Sequence, residues 1–353
     1  MIKTTAATSD PRLAQLKRWA ASALQAEFLP AARGDADIVP KRWEPVSGDA
    51  SFRRYFRTEF NGQTFIVMDA PPDKEAIAPF VDIAGRLLRA GVHAPQVFAQ
   101  NIDQGFLLLE DLGDQMLKAL LQADNGQRLF DQVLPVLAAM AGSCDSAGLP
   151  SYSASKLREE LDLFTYWYVE KHSGQAIAIE QRQQWQGLCQ RLVDSALAQP
   201  QVFVHRDFHS CNLHTLSSAG QGDLTGVIDF QDAVCGPLTY DLASWLWDRY
   251  ITWPRADLER WMEQARQVLA PELAPEQWQR WCDLMGMQRN LKIVGIFARL
   301  HYRDAKPGYL AMIPRFADYL RTSFSLYANK DPEFAPYQHL LTQWLPSDES
   351  AHS

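Results

Sequence analysis

The chain has 353 residues, 47% of them apolar, and a formal net charge of −8; that length buries more than one compact core, and the acidic balance with no Lys/Arg run excludes nucleic acid as the main partner, since phosphate-backbone binding draws on clustered cations. Its cysteines, at 144, 189, 211, 235 and 282, are odd in number and never spaced Cys-x-x-Cys, which suits a reducing, cytoplasmic setting rather than a disulfide framework. No apolar run approaches the roughly 20 residues of a membrane span, and the N-terminus lacks the apolar core of a signal peptide.

Asp10 followed by Pro11 reads as an N-cap and first-turn proline, and Leu13, Leu16, Ala20 and Leu24 then recur at helical spacing, predicting an amphipathic opening helix. Residues 51–60 and 63–68 are aromatic and β-branched, and Asn61-Gly62 between them signals a tight hairpin. Pro71-Pro72 ends that strand. A helix is predicted over 74–90, then Gly91, then strands over 96–100 and 105–110. After Leu112-Gly113 the pattern turns mainly helical, interrupted by short apolar pieces at 202–204, Leu213 and 226–230. The expectation is an α+β chain in two parts: 1–112, an opening helix and a β-rich lobe, and 113–353, a helical lobe with a polar tail from about Pro346.

The strongest chemical signal follows the apolar piece 202–204. Asp207 and Asn212 stand five apart in one loop, and a second apolar strand delivers Asp229 about twenty residues later. Phosphoryl transfer needs a carboxylate to orient the acceptor hydroxyl and take its proton, and oxygen ligands to hold a metal on the phosphates. Asp207 suits the first role, Asn212 and Asp229 the second. Taken singly, Asp and Asn are ordinary turn residues; the ordered set behind two apolar strands points to a site. His205, His209, Cys211 and His214 are ligand types for zinc, but their spacing fits no zinc module. His205 is read as structural, and His209 as a candidate contact to phosphate or sugar.

These motifs resemble the aminoglycoside phosphotransferase and choline kinase family, small-molecule relatives of protein kinases, over roughly 46–303. The resemblance implies a protein-kinase-like bilobal fold with ATP between the lobes, Asp207 as catalytic base, Asn212 and Asp229 as Mg2+ ligands, and Asp241 as a buried brace of the catalytic loop. Within the family, the stretch Ser47-Gly48-Asp49-Ala50-Ser51-Phe52-Arg53-Arg54-Tyr55 and Gln288-Arg289-Asn290-Leu291-Lys292 look like the sugar kinases of cell-wall recycling, which phosphorylate the anomeric hydroxyl of N-acetylmuramate and N-acetylglucosamine. Gly48, Asp49, Ala50 and Ser51 would then form a loop over the phosphates, with backbone at Glu110 and Leu112 meeting the adenine edge.

Kinases of this fold usually carry a lysine on the third strand, where this chain has Met68. Arg53 or Arg54 would substitute, with Glu75 or Asp82 as the paired carboxylate. A helix is predicted over 155–171, with Leu157, Leu161, Phe164 and Tyr168 facing the core and Glu159, Asp162, Tyr166 and Glu170 on an acidic face; the resemblance sets this helix at the acceptor cleft, making Glu159, Glu170 and also Asp232 acceptor candidates. Trp245 and Trp247 would stack on a sugar or be buried. Arg249, Arg289, Lys292 and Arg299 would meet a lactyl carboxylate if the acceptor is N-acetylmuramate. Other acceptors stay open on this reading: an aminoglycoside, an amino alcohol or homoserine. So does a non-catalytic scaffold, given the missing lysine, and the oligomeric state is not legible.

Overall fold

The computed structural model describes residues 10–29, 39–46, 52–218 and 221–345. Clustering of the chain gives two compact units, Met1–Asp114 with Gly226–Gln231, and Gln115–Thr225 with Asp232–Ser353.

In the first unit, helix α1 (Pro11–Phe28) precedes strands β1 (Lys41–Val46), β2 (Arg54–Phe60) and β3 (Gln63–Asp69), helix α2 (Ala78–Arg89), and strands β4 (Val97–Asn101) and β5 (Phe106–Glu110). The strands form one antiparallel sheet in the order β1-β2-β3-β5-β4. Asn61 and Gly62 both take positive φ, 52° and 78°, which is the twist a two-residue hairpin needs; Phe60 therefore pairs with Gln63. Leu16, Ala20 and Leu24 of α1 pack on Phe56, Phe60, Phe65, Val67, Phe106 and Leu108 of the sheet. Asp10 caps α1 by accepting from the Leu13 amide.

The same helix is tied down by charge. Asp69, fully buried at the end of β3, accepts from Arg12 Nε at 2.7 Å and from Arg54 Nε at 3.0 Å. A buried carboxylate persists only when paired in this way.

The predicted helix over 74–90 starts later, at Ala78. The amides of Lys74 and Glu75 both donate to the Pro71 carbonyl, so the chain after the two prolines makes a turn, and Glu75 sits in a loop rather than on the helix. At the other end Gly91 has φ 80°, and Val92 N–H closes back onto the Leu87 carbonyl. The distant segment 226–231 joins this unit through Val227 N–H, which donates to the His93 carbonyl at 2.8 Å, and through Phe230, whose ring lies 4.8 Å from that of Phe80.

The second unit is mostly helical: α3 (Gly126–Ser143), α4 (Ala154–Leu163), α5 (Ile179–Leu197), α6 (Tyr240–Leu246), α7 (Arg255–Leu269), α8 (Pro275–Tyr302), α9 (Ile313–Lys330) and α10 (Ala335–Trp344). Between α5 and α6 lie β6 (Gln201–Val204), β7 (Leu213–Ser218), β8 (Gln221–Val227) and β9 (Val234–Pro237), paired as β6–β9 and β7–β8. Helix α8 is the axle, buried almost without break from Cys282 to Val294. Two glycines let neighbours cross it closely. A Cβ at Gly286 would lie 2.6 Å from the Trp247 ring, and one at Gly295 would lie 2.4 Å from the Leu163 carbonyl carbon. Where that crossing occurs the predicted helix over 155–171 changes character, continuing from Phe164 to His172 as a π-helix. Among the described residues no helix is long and apolar enough to cross a membrane, and the five cysteines are free.

Two glycines of the first unit separate backbone strain from lack of room. Gly62 has positive φ but open space around it, whereas a Cβ at Gly105 (φ 69°) would meet the Ala70 carbonyl oxygen at 1.8 Å. In urea unfolding, Gly62→Ala is expected to lose about 1 kcal/mol, and Gly105→Ala about 3 kcal/mol or more.

Candidate active site

Strand β6 carries the chain to His205 and is held by β9, with Val204 opposite Val234. The loop that follows is fixed by one carboxylate. Asp241, buried at the start of α6, accepts from the amide of His205 at 2.7 Å and from that of Arg206 at 3.0 Å. Arg206 between them takes φ 77°, a left-handed conformation costing a non-glycine residue roughly 1–2 kcal/mol. Its side chain is anchored too, donating to Glu160 Oε1 at 3.1 Å and to the Asp232 carbonyl at 3.4 Å.

With that bend in place the next residues turn back on themselves. Asp207 N–H donates to His205 Nδ1 at 3.2 Å, His209 N–H to the Asp207 carbonyl at 3.0 Å, and Asn212 N–H to the His209 carbonyl at 2.8 Å. Asn212 Nδ2 also donates to the Asp207 carbonyl at 2.9 Å, which fixes the amide plane and turns its carbonyl oxygen the other way. A second buried carboxylate, Asp248, accepts from Ser210 N–H at 3.0 Å and Tyr250 N–H at 2.8 Å. Sequence reading missed Asp248; the only hint was its place seven residues after Asp241.

The charges beneath the loop form a network. Glu160 Oε1 lies 3.1 Å from Arg206 Nη2 and 3.1 Å from Lys292 Nζ, its other oxygen accepts from Tyr152, and Lys292 donates to Tyr240 at 3.0 Å. Burial pushes the Asp207 carboxyl up, while the surrounding His209, Lys292, His205 and Arg206 draw it below its ordinary range. Burial, then Arg249 and Arg289, push His209 well below the usual imidazole value; it is neutral. Burial raises Asp241 to about 6, against the pull of His205 and the two amides.

Asp229 belongs to the first unit. It follows β8 with φ 64°, is exposed, and accepts from Gln231 Nε2 at 2.9 Å. Tyr55 lies within electrostatic reach of Arg53, Asp229 and Glu75; burial first, then the two carboxylates, raise its hydroxyl to about 12 against Arg53. The structure separates the two candidate cations. Arg53 Nε is 2.5 Å from Glu75 Oε2, whereas Arg54 is spent on Asp69 and Asp10; Asp82 pairs with Arg86 on the surface. Met68 is buried in the sheet.

Other sequence candidates scatter. Gly48, Asp49, Ala50 and Ser51 lie outside the described residues. Glu110 N–H is taken by the Gln96 carbonyl, and its carboxylate by His93 and the Gln96 amide; Leu112 is largely buried. Glu159 pairs with Lys156 and Glu170 with Arg182, whereas the carboxylate that meets Arg206 is Glu160, next to Glu159 in sequence. Asp232 is exposed and contributes its backbone carbonyl to Arg206. Trp245 and Trp247 are both buried. No group of three His, Cys, Asp or Glu suited to a metal occurs among the described residues. Taken separately, the Asp229 carboxylate in the first unit and the Asn212 amide in the second carry the oxygen type that magnesium prefers.

A loop with an ionised aspartate, an amide oriented from the same loop, and two buried aspartates pinning its backbone is the arrangement seen from the residues. The sequence pattern of the phosphotransferase enzyme family (APH) matches residues 42–287. The chain belongs to that family. As a member of the phosphotransferase family it has near full-length relatives. It is 43% identical to an N-acetylmuramate/N-acetylglucosamine kinase of Pseudomonas aeruginosa, covering 98% of this chain and 100% of the relative. It is 41% identical to one of Pseudomonas putida, covering 95% and 97%. In fold it is similar to a thermostable aminoglycoside phosphotransferase, APH(4)-Ia, solved in ternary complex with AMP-PNP and hygromycin B, with TM-score 0.56 at 15% identity over 85% of this chain and 97% of that one. The fold is protein-kinase-like, a small antiparallel sheet region and a mostly helical remainder.

Glu160 and Glu159 give a paired test. Glu160→Gln leaves Arg206 and Lys292 buried without their carboxylate and is expected to lose about 3–5 kcal/mol in urea unfolding, while Glu159→Gln changes stability by about 0.5 kcal/mol or less. Asp241 gives a pH test. Its folded-state value of about 6 lies above the ordinary 3.8, so its contribution to stability is full below 3.8 and lost as pH rises through 6; at neutral pH the ionised form is kept at a cost and accepts both amides. Protonation removes one acceptor, so kcat should fall on the acid side with a midpoint near pH 6. Asp241→Asn should abolish that limb and lower the plateau roughly 10-fold or more.

Proposed function

We propose that this chain is an ATP- and magnesium-dependent kinase that phosphorylates the anomeric hydroxyl of N-acetylmuramate and N-acetylglucosamine, giving the 1-phosphates in cytoplasmic peptidoglycan recycling. The observation that carries the acceptor assignment is the 43% identity over 98% of the chain to a kinase named for those two sugars. The loop geometry supports the reaction class.

Asp207, ionised and held by the backbone of its own loop, accepts a hydrogen bond from the acceptor hydroxyl, aligns its oxygen and takes the proton as the bond to phosphorus forms. Asn212 and Asp229 would supply oxygens for magnesium, which would neutralise charge on the nucleotide phosphates. Arg53, braced by Glu75, takes the place of the third-strand lysine against the nucleotide phosphates. A cation braced by a carboxylate answers the objection that the missing lysine leaves only a scaffold. Little covalent help is needed; positioning and electrostatics supply the rate.

Asp207→Asn is expected to lower kcat about 1,000-fold while leaving the nucleotide dissociation constant within about threefold. Mass spectrometry of an ATP, magnesium and amino-sugar incubation should show one added phosphate, and NMR should place it on the anomeric carbon. Phosphate on the 6-oxygen would remove the anomeric assignment, and wild-type turnover of neither sugar would remove the amino-sugar reading.

A further inference from the structure

Cations in the second unit are mostly matched by carboxylates. Arg206 and Lys292 share Glu160, and Arg255 pairs with Asp283. Two guanidinium groups near the catalytic loop are not. Among the described residues no carboxylate oxygen lies within 4.0 Å of Arg249 or Arg289. Arg289, on α8, is only 4% exposed, and its hydrogen bond is a long one, 3.5 Å from Nη1 to the Trp247 carbonyl. Arg249 donates from Nη2 to His209 Nε2 at 2.8 Å, and its own carbonyl accepts from Arg315 at 2.7 Å, so a third guanidinium stands close by.

The histidine points the same way. A guanidinium can only donate, so His209 Nε2 is the acceptor and Nδ1 carries the proton. That Nδ1 is buried and has no hydrogen-bond partner among the described residues. Burial of a guanidinium without an anion is costly, and burial already draws the ionisation of Arg289 below its ordinary value. Asp207 and Asp248 lie within electrostatic range of Arg289 but beyond contact, and the oxygens of Asp248 are occupied by Ser210 and Tyr250. The cluster is short of one anion, beside the residue that receives the acceptor.

The four cations marked from sequence as partners for a lactyl carboxylate are thus sorted. Lys292 is spent on Glu160; Arg299 also has no ion pair among the described residues and a buried Nε without a partner, but its field comes from Arg303, Asp304 and Glu160, whereas Arg289 and Arg249 face His209, and Arg289 also Asp207. We propose that Arg289, with Arg249 beside it, binds the lactyl carboxylate of N-acetylmuramate and sets the preference for this acidic sugar over neutral N-acetylglucosamine. A planar guanidinium matches a carboxylate in two parallel hydrogen bonds. The transferable phosphate of the nucleotide shares that chemistry, and the experiment separates the two sources.

The inference rests on the amino-sugar reading, so the first arm is wild-type turnover of both sugars; its absence removes both claims. With that arm met, kcat/KM is measured on each sugar for wild type, Arg289→Met and Arg249→Gln, full-length and checked for folding by thermal melting. The second variant covers the case in which the buried Arg289 site does not tolerate change. The ratio of kcat/KM for N-acetylmuramate to that for N-acetylglucosamine should fall roughly 10- to 100-fold, mostly through KM. The lactyl methyl ester of N-acetylmuramate should show the same drop on wild type and no further drop on the variants. An unchanged ratio, with both sugars losing equally, assigns the arginines to the phosphate and overturns the proposal, as does an ester that the wild type uses as well as the acid.

Discussion

Two consecutive backbone amides, those of His205 and Arg206, converge on one buried carboxylate, Asp241. Everything at the catalytic loop follows from this contact. It holds Arg206 in a left-handed conformation that a free loop would abandon, and that bend is what lets the Asp207 carbonyl collect N–H groups from both His209 and Asn212. Base and metal-ligand candidate are thereby set by the same few backbone atoms. The cost is an ionised carboxylate in a low-dielectric setting, visible as the upward shift of Asp241. Asp248 repeats the device on Ser210 and Tyr250.

Around this frame the charges are arranged for two different ends. Glu160 neutralises Arg206 and Lys292 together, and tyrosine hydroxyls complete the shell. The positive charge around Asp207 offsets burial and draws its carboxyl below the ordinary range. Arg289 and Arg249 complete this charge and are not balanced within the unit.

In the first unit the same economy governs the sheet. Asp69 draws Arg12 from α1 and Arg54 from β2 onto one buried point, which locks helix to sheet and removes Arg54 from any ligand role. Its sequence neighbour Arg53, on the other face, meets Glu75, a carboxylate carried by a loop where the two prolines hold the chain off the helix. Alternation of side chains along the backbone decides which of two adjacent arginines meets Asp69 and which meets Glu75.

Much of this was legible in the residues themselves. Local signals with their own physics read correctly: the N-cap and proline of α1, the Asn61-Gly62 hairpin with the helix and two strands that follow it, and the apolar strand before Asp207. Periodicity could not show that the helix continues as a π-helix from Phe164, beside the close crossing at Gly295, and singling out Glu159 passed over Glu160, which lies in α4 on the buried face of Leu157 and Leu161. Nor could it show Asp248 as a second anchor, the burial of Trp245 and Trp247, or which of four cations lacks a partner. Propensity and spacing are properties of neighbours in sequence; burial and charge balance are set by residues 35 to 140 positions apart, and only the folded chain decides them.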